Sequence, residues 1–166
     1  NPFSTTWAIG TGHVNQQKAL SPGLVYDTST QDYIAFLCSL NYTLDHLRLF
    51  VKHPDANCSK KLADPGDHNY PHPSRLFSEP TRLLNTRVGE PGSSYDVVVS
   101  SPSTVDITVN PNRLEFGEVA ESQTYTVTFV SNRSVNDSAT SGFGSIMWSN
   151  EQHQVRSPVA FTWTYF

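Results

Sequence analysis

The sequence predicts a mainly β chain: an antiparallel β-sandwich of the fibronectin-III or immunoglobulin type, preceded by a short helical segment. Three observations carry this. From His68 onward apolar residues recur with a period of two, as in Tyr125-Thr126-Val127-Thr128-Phe129-Val130 and Val159-Ala160-Phe161-Thr162-Trp163-Thr164-Tyr165, so one strand face is apolar and the other polar. Turn signals cut this half into about seven short runs over about 100 residues, the spacing of a sandwich. Upstream of it the period lengthens to that of a helix.

Taken in order, residues 1–27 are punctuated by glycine and end near the turn signal Ser21-Pro22-Gly23. Residues 28–52 read as helix. Thr28 with Gln31 forms a capping box, and Tyr33, Phe36, Leu37 and Leu40 fall at i, i+3, i+4 and i+7 on one apolar face. Thr43 caps a second, shorter helix carrying Leu44, Leu47 and Val51, which His53-Pro54 stops. A polar linker runs from Asp55 to Asp67. Candidate strands follow at Tyr70–Phe77, Arg82–Val88, Ser94–Ser100, Val105–Val109, Arg113–Phe116, Thr124–Ser131, Phe143–Trp148 and Pro158–Tyr165. Gly89-Glu90-Pro91-Gly92, Ser101-Pro102-Ser103, Asn110-Pro111-Asn112 and Ser149-Asn150-Glu151 separate them. The Cys…Trp…Cys pattern of antibody domains is missing from this half.

Composition narrows the function classes. Hydrophobic residues make up 37% of the 166, below the usual share of about 45–50%. Nine Phe, seven Tyr and three Trp compensate, because each aromatic buries a large area. A net charge of −4 argues against nucleic-acid or anionic-membrane binding, both of which want a basic face. No apolar run approaches the roughly 20 residues of a membrane span. The first residues, Asn1-Pro2, lack an initiator Met and a signal peptide, which implies that something upstream was removed or left out.

Cys38 and Cys58 are the two cysteines. They either close a loop of about 20 residues, worth roughly 3 kcal/mol in the chain-entropy model, or sit apart as buried thiols that behave as small hydrophobes. Four N-x-[S/T] sequons begin at Asn41, Asn57, Asn132 and Asn136 and are candidate N-glycosylation sites. Asn132 and Asn136 fall between two strands, where a glycan faces solvent.

Catalytic and metal signatures are sparse. Neither G-x-S-x-G nor H-E-x-x-H occurs. His13 reads as a partly buried histidine that orders a loop. The Gly10-x-Gly12 pair has no further glycine to make a phosphate loop. His68 and His72 stand four apart, but Pro71 and Pro73 forbid the helix that would bring them to one metal. No metal and no cofactor is expected. Arg156 is expected to pair with Glu151 or Asp96 in a structural role. Trp148 and Trp163 offer stacking faces for a sugar, though tryptophan in a sandwich strand is more often core.

Several stretches together resemble one family. Gly10-Thr11-Gly12-His13-Val14-Asn15, then Ala19 and Pro22-Gly23-Leu24-Val25-Tyr26-Asp27, look like the "G-x-G-H-[VI]-N…A…PGLVYD" segment near the end of the peptidase unit of plant subtilisin-like serine proteases. Tyr33-Ile34-Ala35-Phe36-Leu37-Cys38 resembles that family's "DYxxFLC" helix, and Asp67-His68-Asn69-Tyr70-Pro71 its "DLNYPS". Leu114-Glu115-Phe116, Tyr125-Thr126-Val127-Thr128-Phe129, Phe143-Gly144-Ser145-Ile146-Met147-Trp148-Ser149 and His153-Gln154-Val155-Arg156-Ser157-Pro158-Val159 look like strands of its C-terminal fibronectin-III-like domain. The family's "RTVTNVG" is replaced by Arg82-Leu83-Leu84-Asn85-Thr86-Arg87-Val88-Gly89, which marks a divergent member.

The resemblance implies residues 1–66 as the end of a subtilase peptidase unit with two short helices and a linker, and 67–166 as the fibronectin-III-like sandwich. It implies that Cys38 pairs with Cys58 and that the protein is secreted to the extracellular space. The family's catalytic Asp, His and Ser contexts, including "G-T-S-M-[AS]-x-P-H", are not in this sequence, so no residue here is expected to be catalytic. The implied role is an accessory region supporting the stability and substrate-cleft shape of a secreted serine endopeptidase. The alternative is a stand-alone secreted binding, decoy or inhibitor protein derived from a subtilase. Either role implies a protein partner, a subtilase catalytic domain or another secreted protein. Phe3, Trp7, Ile9, Val14, Leu24, Val25 and Tyr26 give the leading segment an apolar surface that must pack back on the sandwich, dock on another chain or stay unfolded.

Overall fold

Eight strands form two four-stranded antiparallel sheets in the computed structural model, which describes residues 10, 12–52, 58–69, 81–88, 91–133 and 140–163, with only the backbone described at 81–85 and 87. The elements are α1 (Gln16–Ala19), β1 (Leu24–Val25), α2 (Thr30–Ser39), α3 (Leu44–Phe50), a 3-10 turn (Pro65–Asp67), β2 (Thr81–Arg87), β3 (Ser93–Ser100), β4 (Val105–Asn110), β5 (Arg113–Phe116), β6 (Ser122–Ser131), β7 (Ser141–Ser149) and β8 (Gln154–Thr162). One sheet runs β1-β2-β6-β4 and the other β5-β3-β7-β8.

The period-two pattern dictates the core. Val105, Ile107 and Val109 point inward from β4, Tyr125, Val127 and Phe129 from β6, and Ile146 and Trp148 from β7. Register places Ile107 opposite Phe129 and Val109 opposite Val127, so cross-strand pairs stack inward on one face. Tyr125 meets Trp148 edge-on with ring centroids 5.0 Å apart, joining the two sheets. Gly144 lets β7 pass close to its neighbour: a Cβ there would lie 2.5 Å from the Ser100 carbonyl oxygen. Asn110–Pro111, with a cis peptide, forms the expected turn between β4 and β5.

Strand boundaries follow the sequence reading to within two residues, apart from the last strand and β1. The last strand starts at Gln154 rather than Pro158. Pro158 is tolerated inside it because β8 lies at the end of its sheet, paired among the described residues with β7 alone. β1 was not anticipated, because a two-residue strand has no period to read. The run Tyr70–Phe77 lies outside the described residues.

The helices form a second, smaller core of Ile34, Cys38 and Leu47, lined by Leu37, Val51 and Cys58. Cys38 and Cys58 are joined in a disulfide, with Cα atoms 5.6 Å apart. Thr43 caps α3 as expected, accepting from the His46 N–H. The capping box of α2 is displaced by one residue from the expected Thr28 and Gln31. Ser29 accepts from the Asp32 N–H and the Asp32 carboxylate accepts from the Ser29 N–H. Thr28 is otherwise engaged, its hydroxyl donating to the Asn69 carbonyl at 2.8 Å.

The apolar face is displaced too. Tyr33 and Leu40 are exposed, while Ile34, Ala35 and Cys38 are buried. The disulfide turns Cys38 toward Leu47 and so sets which face of α2 is inside. Tyr33 and Phe36 instead flank the buried His68 ring, at centroid distances of 5.1 and 4.9 Å.

Burial holds the His68 pKa below the ordinary histidine value, against a smaller upward pull from Asp32. The Ser29 hydroxyl and N–H hold the Asp32 carboxyl below its usual range, and His68 adds to this. The folded state therefore binds protons less readily than the unfolded chain at both groups. Stability from His68 is complete above its unfolded value of 6.5 and is lost as pH falls below it. That from Asp32 is lost only below 3.8. We expect the melting temperature of the helical unit to fall between about pH 7 and about pH 5, and His68→Phe to flatten that slope. A wild-type profile already flat across this window counts against the assignment.

Candidate functional site: the seam between the leading segment and the sandwich

Residues 21–26 are built into the sandwich. β1 pairs with β2 through Leu24↔Arg87 and Val25↔Thr86, and Leu24 joins the main core, 2% exposed. Chain direction places Tyr26 just beyond β1, packed against the same core. Its phenol oxygen lies 2.8 Å from the Tyr125 hydroxyl on β6 and 2.7 Å from the Ser157 hydroxyl on β8. One side chain of the leading segment thus bridges both sheets. Burial raises the Tyr26 pKa, with the Ser157 and Tyr125 hydrogen bonds opposing in part, so the phenol stays protonated at neutral pH.

A second anchor sits beside it. The Ser21 hydroxyl is 3.2 Å from His153 Nε2. The His153 N–H and the Gln152 N–H both donate to Asn150 Oδ1, at 2.7 and 2.9 Å, which fixes the β7–β8 turn. Gly23 lies between His153 and Tyr95 with φ +77°. A Cβ there would meet His153 Cγ and the Tyr95 hydroxyl at 2.7 Å each, so both conformation and space require glycine.

Further out, residues 12–20 are exposed. Val14 and Leu20, on either side of α1, are 88% and 89% exposed. Between α1 and the β7–β8 turn lies an open cleft of about 510 Å³ reached by Lys18, Pro22, Glu151 and Val155.

The remaining predicted residues fall as follows. Asn41 and Asn132 are exposed, while Asn57 and Asn136 lie outside the described residues, as do His72, Phe3, Trp7 and Ile9. His13 is exposed rather than partly buried, because it precedes α1 where the chain leaves the sandwich. Arg156 is exposed, and among the described residues no ion pair involves it. Asp96 instead pairs with Arg113, which also meets Glu115 and Ser94. The register places Arg156 opposite Met147 on β7, while Asp96 stands opposite Ser149 and faces Arg113 of β5. Trp148 is fully buried and offers no stacking face. Trp163 is partly buried, with the Arg133 guanidinium 5.4 Å from its ring centre.

Sequence reading missed Ser21, Tyr95, Tyr125, His153 and Ser157 as a group, since no spacing connects residues about 130 apart. The one available signal was Ser157, a hydroxyl on the buried face that β8 otherwise fills with Val159 and Phe161.

Ser21 and His153 have the residue types of a nucleophile–base pair. The other ring nitrogen of His153, Nδ1, is buried with no carboxylate on it among the described residues, so the group that orients a catalytic histidine is missing there. The pair works as a latch. Among the described residues no cluster of His, Cys, Asp or Glu could hold a metal, and no described helix is long and apolar enough to cross a membrane.

Comparison with known proteins agrees with this architecture. The fibronectin type-III domain family matches residues 73–161. The chain belongs to that family. It is also similar to plant subtilisin-like proteases over nearly its full length: 39% identical to subtilisin-like protease SBT1.3 of Arabidopsis thaliana over 96% of this chain and 21% of that protein, and 41% identical to SBT1.7 of the same plant over 97% and 22%. SBT1.4 is 38% identical over 96% and 22%. The chain therefore spans about a fifth of the length of these relatives, in their C-terminal region. The fibronectin match begins after Leu24 and Tyr26, yet Leu24 belongs to the sandwich core of this chain and Tyr26 packs against it.

Two substitutions probe the seam. Tyr26→Phe leaves the Tyr125 and Ser157 hydroxyls without their shared partner and should cost about 1–3 kcal/mol. Gly23→Ala combines steric overlap with an unfavourable φ and should cost more than about 1 kcal/mol. Urea unfolding of both variants measures this, and wild-type midpoints for both would remove the seam as a structural element.

Proposed function

We propose that this chain is the non-catalytic C-terminal accessory region of a secreted subtilisin-like serine endopeptidase, and that it supports the stability of the peptidase unit and the shape of its substrate cleft. The observation that carries this is the incorporation of Leu24 and Tyr26 into the sandwich. In this reading the last segment of the peptidase unit is a structural part of the fibronectin-type domain. Any motion that separates the two must break β1 from β2 and strip Tyr26 from both sheets. Similarity along 96% of the chain to plant subtilisin-like proteases supports the same reading.

The reading assigns no bond-breaking chemistry to the chain itself. The purified chain is expected to leave peptide substrates intact and to resist labelling by a fluorophosphonate. Covalent label on Ser21, the hydroxyl beside His153, would overturn this. In the longer protease carrying this region, Tyr26→Phe with Gly23→Ala should shorten the half-life of peptidase activity on heating several-fold, while initial activity at low temperature changes less than twofold. A peptidase unit equally heat-resistant with and without these changes, or without the whole region, refutes the accessory role.

A further inference from the structure

We propose that Asn41 carries an N-linked glycan that shields the apolar corner between α2 and α3. The sequon Asn41-Tyr42-Thr43 occupies that corner completely. Asn41 takes φ +61° just after the α2 C-cap. Its N–H donates to the Cys38 carbonyl, and the Tyr42 N–H to the Leu37 carbonyl. These two bonds close a Schellman turn, whose left-handed position suits glycine or asparagine. Thr43 then opens α3 as its N-cap. The backbone of Asn41 is thus committed to the turn, while its side-chain amide is exposed and makes no hydrogen bond among the described residues. Modification of that amide breaks no fold contact.

Its surroundings also suit a sugar. Leu40, Tyr42 and Leu44, within three positions of Asn41, are 43%, 41% and 46% exposed. A glycan on Asn41 lays its C–H faces over this corner and reduces an apolar patch of the kind that drives association. The disulfide between Cys38 and Cys58 closes around the same corner, which fits maturation in an oxidising compartment, where N-glycosylation also takes place. Asn41 heads the one sequon wholly inside the described residues. At Asn57 the middle residue is the bridged Cys58, and at Asn132 the middle residue Arg133 is held over Trp163.

In the modification the amide nitrogen Nδ2 bonds to the anomeric carbon of a lipid-pyrophosphate-linked oligosaccharide. The carbon–oxygen bond to the pyrophosphate breaks, the lipid pyrophosphate leaves with that electron pair, and the amide gives up one proton.

The test expresses the chain behind a signal peptide in a glycosylating eukaryotic host and recovers it from the medium. Peptide-N-glycosidase in ¹⁸O-water then marks each occupied asparagine as ¹⁸O-aspartate. Expected are the mark on Asn41, loss of one glycan mass in Asn41→Gly, and its retention in Thr43→Ser. Glycine keeps the left-handed turn and serine keeps both cap and sequon, so the fold survives in either variant. Asn41→Gly should also bind a hydrophobic dye at least twofold more strongly. Secreted, disulfide-bonded wild type with unmodified Asn41 overturns the site, and equal dye binding by glycosylated wild type and Asn41→Gly overturns the shielding.

Discussion

A single phenol oxygen ties the two sheets of the sandwich to the segment that precedes them. Tyr26 reaches Tyr125 on one sheet and Ser157 on the other, and its ring fills space beside the main core. A sandwich holds its sheets together chiefly by non-directional apolar contact. The three hydroxyls add direction at one edge and fix the position of the incoming chain. Tyr125 and Ser157 are buried and Tyr26 partly so, and a donor or acceptor left unmatched there costs more than a typical hydrogen bond contributes. The rest of the seam follows from this point. Leu24 enters the core two residues earlier, Gly23 makes the close approach to Tyr95 and His153, and Ser21 meets the His153 ring.

The molecule has two cores of unequal strength. Among the described residues the sandwich core gathers buried side chains from β1 and β3 to β8. The helical core holds three buried residues and relies on the disulfide. Short polar bonds connect them, with Thr28 donating to the Asn69 carbonyl and the Asn69 amide donating to the Asp27 carbonyl. Among the described residues the helical unit is thus tied at its base, where Asp27 and Thr28 meet Asn69.

Much of the sandwich was legible because period-two alternation survives wherever one face is buried. The runs at 105–109, 113–116 and 124–131 needed little correction for that reason. The fibronectin-type class came from the same alternation and from the familiar closing strands. What escaped was decided at a distance. The inward face of α2 follows the Cys38–Cys58 bridge and the packing of Ile34 and Cys38 with Leu47, which a helical wheel does not read, so the wheel alone selects Tyr33 and Leu40 wrongly. The cap moved from Thr28 to Ser29 because Asn69, about 40 residues on, claims the Thr28 hydroxyl. The seam residues carry no mutual spacing at all; the segments that hold Tyr26, Tyr125, His153 and Ser157 were each singled out for family likeness, not for their contacts with one another.

β1 and β2 are neighbours in one sheet, yet Val25 and its partner Thr86 stand 61 positions apart in the chain. Everything between them, helices included, is one long connection that must be closed before two residues of pairing are gained. Closure entropy grows only with the logarithm of length, about 0.6 kcal/mol for each doubling. The Cys38–Cys58 bridge short-circuits part of that path, but by less than one halving, so it lowers the closure cost by no more than a few tenths of a kcal/mol. The bridge holds the helical corner together and does little to bring β1 home. Closure must be met before contacts this remote in sequence are gained, and the Tyr26 bridge to both sheets adds to the two residues of pairing that hold so short a strand.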